Sequence, residues 1–446
     1  MVTSIIQKSH LEGADRIDSE YYQPEYLKKF SQLKLINHIQ LQEIAHITDG
    51  EHGSPIWDEQ SDIKYFSAQH VLGGLVDNTN TKTISRIIND RNKRSQLLQG
   101  DILLSTVGTV GNAGLITKKN LPANIDRHVA RISLKSGSLE PEYLVVFLNS
   151  SYGVFQTTRE ATGNVQLNLF IDKIKTLLVP SSNQPKISLL VKNSFNLKDD
   201  SELLYQQAEQ LLLKKLGLQD FRQNNNLWSV VNFSEVKDAN RIDADYFQQK
   251  YKDLISKIEN HNAKRLGDLV SLQKGFEPGS EAYQEEGKTF IRVSSISKFG
   301  INNQDQKYLH DDLYQKLKDN YEPKVGEILL TKDASPGIAY FVTNPVEGII
   351  SGGILKLKIK NKIEGEYLAL CLNSIIGKMQ AERDAGGSVI VHWKPEQIKN
   401  ILIPILSEET QQKITDLVKR SHDARKKSKE FLEEAKRKVE EMIEKA

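Results

Sequence analysis

Residues 16–22 read R-I-D-S-E-Y-Y, and residues 241–247 read R-I-D-A-D-Y-F, 225 positions later. Seven matching residues are weak by themselves. A duplicated unit makes a stronger demand, that the same offset recur along the chain and in order. It does. Ser4-Ile5-Ile6 falls on Ser229-Val230-Val231, Tyr26 on Tyr251, Leu41-Gln42-Glu43-Ile44 on Leu266-Gly267-Asp268-Leu269, Gly50 on Gly275, and Tyr65-Phe66 on Phe290-Ile291. The offset then slips to 226, where G-D-I-L-L-S (100–105) falls on G-E-I-L-L-T (326–331) and Gly111 on Gly337. Further on it is 224, where Glu142-Tyr143-Leu144 falls on Glu366-Tyr367-Leu368, Leu148-Asn149-Ser150 on Leu372-Asn373-Ser374, and Val179-Pro180 on Ile403-Pro404. The chain is two copies of one unit.

Composition bounds the rest. A chain of 446 residues holds two or three domains, and the repeat selects two. With 38% hydrophobic and 26% charged residues it reads as a soluble, somewhat polar globular protein. No run of 18 apolar residues appears, so no membrane-spanning helix is expected. The opening M-V-T-S-I-I-Q-K-S-H has no basic segment followed by an apolar one, so no secretory signal is expected. The single cysteine, Cys371, sits in Y-L-A-L-C-L-N and reads as a small buried hydrophobe; the natural compartment is a reducing cytoplasm. A net charge of +2 lacks the strong basicity of a lone nucleic-acid binder, so any nucleic-acid role must rest on architecture or on partners that bring charge.

Each unit reads as an α+β head followed by a helical tail. In the first head I-K-Y-F-S-A-Q-H-V, L-G-G-L-V-D, D-I-L-L-S-T-V and R-H-V-A-R-I-S-L-K alternate with turn signals; F-I-R-V-S-S-I, G-E-I-L-L-T-K, G-I-A-Y-F-V and G-I-L-K-L-K-I stand at matching places in the second. P-E-Y-L-V-V-F-L-N-S and G-E-Y-L-A-L-C-L-N-S predict helices stopping at Gly153 and Gly377. In the tails, Leu190, Ser194, Leu197, Ser201, Leu204, Ala208, Leu211 and Leu218, then Ile414, Leu417, Ser421, Ala424, Ser428, Phe431, Ala435 and Met442, recur in steps of four and three, broken at Lys215 and Lys438. That is a heptad seam meant for another helix. The expected boundaries are 1–180 for the first head, 181–220 for the first spacer helix, 221–405 for the second head and 406–446 for the second spacer helix. Antiparallel pairing of helices of about 36 residues, roughly 54 Å long, would set the heads at opposite ends of a rod with a pseudo-two-fold axis.

The ordered series resembles the specificity (S) subunits of type I restriction–modification systems. The carriers are the R-I-D-x-x-Y-Y/F opening, the G-D/E-I-L-L-S/T strand, the E-Y-L…L-N-S helix, the V/I-P stop and the helical spacer, each present twice. The resemblance implies two target recognition domains, each reading one part of a split double-stranded DNA target. It implies spacer helices that set the gap and dock two adenine methyltransferase (M) subunits, with nuclease–translocase (R) subunits joining them. It also implies that S-adenosylmethionine, ATP and magnesium sit on those partners, that this chain holds no cofactor or metal, and that it is not itself an enzyme.

The alternative, a duplicated modifying or cleaving enzyme, needs its own site. Asn344-Pro345-Val346-Glu347 lacks the second proline and the aromatic of an adenine-methylating loop. Gly108–Gly114 has spaced glycines but no helix behind it, so it reads as a hairpin. Glu322-Pro323-Lys324, with Asp311 and Asp312 upstream, has nuclease spacing, but a proline is unwelcome in a central strand and the first copy has no counterpart. Candidate DNA readers lie in loops where the copies differ, because the two heads need not read the same bases. In the first head they are His52 in the 49–54 loop, Gln69, His70, Thr106, Thr109, Asn164, Gln166 and Asn168. In the second they are Lys274, Arg292, Ser294, Lys332, Ser335, Arg383, Ser388, His392 and Lys394, with Ser295 and Asp333 beside them. Phe276 and Trp393 fit either a reading or a core role.

Overall fold

The computed structural model describes residues 3–9, 11, 16–163, 166–181, 184–222, 226, 228–302, 306–385 and 392–445. They form two units: 1–198 with 426–446, and 199–425.

In the first unit one sheet runs in the order Ala45–Asp49, Val129–Leu134, Ile102–Ser105, Ala113–Leu115, Gly74–Val76, Val71–Leu72. A second runs Lys82–Ile84, Ile63–Phe66, Ala123–Ile125. Pairing is antiparallel except for Ile63–Phe66 beside Ala123–Ile125 and Gly74–Val76 beside Ala113–Leu115. The repeated strand is the wall between two cores. Its side chains alternate across the pleat. Ile102 and Leu104 face a core with the helix Pro141–Leu148, while Leu103 faces a second core with Phe66, Ile125 and Val129. The second unit does the same: Ile328 and Leu330 pack with the helix Gly365–Asn373, and Leu329 with Ile291, Val342 and Ile350. Its sheet order, Val270–Lys274, Ile354–Ile359, Glu327–Thr331, Ala339–Phe341, matches four strands of the first.

The repeated L-N-S ends each of these helices. Asn149 pairs both backbone groups of Ala113 (3.1 and 2.8 Å), and Asn373 those of Ala339 (2.9 and 2.7 Å). Gly153 and Gly377 are not the stops. They lie in the first turn of the next helices, Ser151–Glu160 and Ile375–Asp384, where a side chain would strike the carbonyls of Leu148 and Leu372. Cys371 is fully buried, and burial pushes its thiol up to about 12.

Two long helices, Pro185–Lys215 and Glu408–Glu444, form the seam. The first unit holds the beginning of the one and the end of the other, and the second unit the reverse, so the pairing is antiparallel. In the first unit Ser194 donates to the Ser428 carbonyl (2.7 Å); in the second, Ser421 donates to the Ser201 carbonyl (2.6 Å). The buried register differs partly from the expected one. Tyr205, Ala208 and Leu212 are buried on the first helix and Leu216 just beyond its end, with Leu204 and Leu211 half-buried beside them. Val418, Val439 and Ile443 are buried where Leu417 and Met442 were expected to lead. Each helix packs against its head as well as against the other helix, so its apolar stripe is wider than a two-helix seam.

Candidate nucleic-acid interface

The R-I-D motif, the most legible repeat, is a latch. Arg16 forms a two-pronged pair with Asp18 (2.8 and 2.9 Å), donates to the carbonyls of Arg159 (3.0 Å) and Ala161 (3.5 Å), and lies over the Tyr21 ring (4.6 Å). Arg241 repeats this with Asp243, the carbonyls of Arg383 (3.3 Å) and Asp384 (3.2 Å), and Tyr246 (4.6 Å). The hydrogen bond from its arginine, against some cost of burial, holds each aspartate below the usual carboxylate range. The motif fastens the N-terminal segment of each unit to the end of a helix.

In the second unit the candidates Arg292, Ser294 and Ser335 line one open cleft of about 550 Å3 with Phe276, Glu277 and Tyr283. Gly275, which precedes Phe276, has no room for a side chain, since a Cβ there would strike the carbonyls of Ile350 and Ser351. Lys274 pairs with Glu277 (2.7 Å) at its edge. Lys332 is buried and pairs with Asp333, which also binds His392 Nδ1 (2.7 Å). Burial raises the Asp333 carboxyl, but the bonds from Lys332 and His392 outweigh it and leave it below its ordinary value. Lys394 is exposed, and its backbone N–H donates to Gln397 (3.0 Å). Arg383 pairs with Asp384 (2.7 Å) and lines a separate cleft with Tyr246 and Tyr251, so it belongs with the latch. Phe276 packs on Tyr321 (5.5 Å) at the cleft, whereas Trp393 is buried core. Ser388 lies outside the described residues.

In the first unit, His52 Nε2 meets Asp49 (2.6 Å), and Arg94 binds Asp49 (3.0 Å) and the Gly50 carbonyl (3.2 Å). Gln69 is exposed on a short turn. His70 is buried: the Ser67 N–H donates to its Nδ1 (3.0 Å), its ring meets Phe66 edge-on, and burial pushes its pKa down. It holds the turn rather than facing a groove. Thr106 is also buried, its backbone bonded to His128 and Leu169 (2.9 Å each). Thr109 is exposed, its carbonyl accepting from Ser105, as that of Ser335 accepts from Thr331 (2.6 Å). Gln166 is exposed, and Asn168 pairs with Thr162 through backbone bonds of 2.9 and 2.8 Å. Asn164 lies outside the described residues.

Sequence reading missed Asp126-Arg127-His128. R-H-V-A-R-I-S-L-K read as strand from its first residue, but the strand begins at Val129. The turn before it is tied to the reading loops: Asp126 N–H donates to the Phe66 carbonyl (3.0 Å), Glu51 bridges to Asp126, and the His128 carbonyl takes the Thr106 N–H (2.9 Å). The available signal was divergence, since the same place in the second copy reads Ser351-Gly352-Gly353. Among the described residues no group of three or more His, Cys, Asp or Glu could hold a metal ion, and no helix is long and apolar enough to cross a membrane.

A profile of the family described as "Type I restriction modification DNA specificity domain" matches residues 258–434. The type I restriction enzyme EcoBI specificity subunit of Escherichia coli is 28% identical over 123 residues, covering 28% of this chain and 26% of that protein, so the match spans about a quarter of that relative. Among solved structures, the type I restriction-modification S subunit from M. genitalium aligns over 92% of this chain and 95% of its own, at 15% identity and a TM-score of 0.42. The HsdS subunit from Thermoanaerobacter tengcongensis aligns over 92% and 95%, at 14% identity and a TM-score of 0.29. The family profile and the curated relative, together with the doubled series of motifs, make the chain similar to the specificity subunits of type I restriction–modification systems.

Proposed function

We propose that this chain is the DNA-reading and assembly subunit of a type I restriction–modification complex. Each unit reads one part of a split double-stranded target. The long helices fix the gap and dock two adenine methyltransferase subunits, with nuclease–translocase subunits joining that assembly in the cytoplasm. The chain performs no chemistry; S-adenosylmethionine, ATP and magnesium belong to the partners. One observation carries the reading: two units repeat the same strands and helix in the same order yet differ at matched loop positions, Arg127 against Gly352 and Gln69 against Ser294. A common frame with divergent loops is what two readers of different bases require. The near-neutral charge fits a DNA grip shared with partners.

Exchange of residues 30–178 for the matching region of a related subunit tests this. Sequencing of methylated sites in cells carrying the hybrid and its methyltransferase should show one half of the target changed and the other kept. A change in both halves together would remove the two-reader model.

A further inference from the structure

We infer that Arg127 is the principal base-reading side chain of the first unit and that the base it reads is guanine; this rests on the specificity-subunit reading above. The turn that carries it is fixed by backbone bonds on three sides, to Phe66, Glu51 and Thr106. Within the turn the Asp126 carboxylate accepts from the His128 N–H (2.9 Å) and faces its ring Nδ1 (3.3 Å). That places a proton on Nδ1 and leaves Nε2 as an acceptor, and Arg127 Nε donates to it (3.2 Å). The chain of contacts from Asp126 through His128 to Arg127 orients the guanidinium by its inner nitrogen. Arg127 is exposed, and among the described residues no carboxylate forms an ion pair with it.

A guanidinium held by Nε with its terminal edge free is the fork that matches O6 and N7 of guanine in the major groove. A phosphate contact would not need this orientation, because a flexible cation serves as well. The second unit lacks the device. Gly352 stands at the matching position, beside a cleft, and the arginine near it, Arg292, comes from the position that Ser67 holds in the first unit. The two units therefore present an arginine at different places on one frame, as readers of different half-sites should. His128 is a positioning residue, acting through Arg127.

The test is the methylated motif in cells carrying the full complex with Arg127→Ala, Arg127→Lys or His128→Ala. Arg127→Ala should make one G·C position of one half-site degenerate, with a loss of preference of about 5- to 150-fold. Arg127→Lys should fail similarly, since an ammonium cannot fork; His128→Ala should relax the same position less. An unchanged second half-site reports intact folding and assembly. A wild-type half-site without a G·C pair, or an unchanged motif in Arg127→Ala or Arg127→Lys, overturns the assignment. So does an even fall in methylation at all sites, which marks a phosphate contact. Should both arginine variants abolish methylation, DNA binding by the purified complexes decides: equal affinity with and without the G·C pair supports the assignment, and retained preference overturns it. If removing the chain altogether leaves the methylated motif in place, the specificity-subunit reading itself fails.

Discussion

At the scale of residues, recurrence and role separate. Arg16 and Arg241 were the plainest signal in the sequence, and both turn inward to carbonyls at a helix end. A repeat reports that a position is constrained, and it does not say whether by folding or by ligand. Arg16→Ala removes charged hydrogen bonds from a mostly covered site and should cost about 2 kcal/mol, read as a lower denaturant midpoint. Arg241→Ala should cost a similar amount, because it too pairs with an aspartate and donates to two carbonyls at a helix end. His70 shows the opposite failure. As a polar residue between strand and loop it read as a DNA contact, but which way a side chain points is not written in a short turn. Its burial has a consequence in pH. The folded pKa lies below the ordinary value of about 6.5, so the unfolded chain takes up the proton first and stability falls as pH drops through that value. Thermal unfolding of His70→Gln should lose less between pH 7.5 and 5.5 than wild type loses. An equal loss in both would place the titration elsewhere.

At the scale of elements, strands and helices were legible because their periods are fixed, and the seam was legible to within one position. The error has a physical source. A period-seven pattern identifies one packing partner, but each long helix has two, so Leu204 and Leu211 lead the sequence pattern while Tyr205 and Leu212 carry the burial. A charge at Leu212 would lie in the core with Ile414 and Val418 and should destabilise by several kcal/mol, with loss of soluble protein. Leu203, with 53% of its surface exposed, is the control: Leu203→Glu should fall within about 0.5 kcal/mol of wild type. The repeated strand yields a second lesson. Three apolar residues in a row do not say how many cores they serve, and the pleat sends Leu103 and Leu329 into a different one from their neighbours.

At the scale of the whole molecule, duplication made the architecture readable before any element was assigned, while the reading loops stayed obscure because specificity lives where the copies disagree. The proposed role in spacing is testable there. Seven residues separate Ser194 from Ser201, and seven separate Ser421 from Ser428, so a heptad added in one helix alone would leave its partner short. Matched heptads inserted in both intervals keep the seam and lengthen each helix by about 10 Å. At about 3.4 Å per base pair the gap in the methylated motif should grow by roughly three pairs with both half-sequences kept. An active complex holding the original gap would assign the spacing to other subunits. The division of the chain into units has a further consequence, for biogenesis. Ala435, Val439 and Ile443 complete the core of the first unit, so the earliest part of the chain to be made is the last to be finished. The ribosome must deliver the final turns of the last helix before the first head can close, and until then its apolar face stays open to chaperones and to aggregation. A premature stop near residue 425 would therefore wound the head farthest from it in sequence.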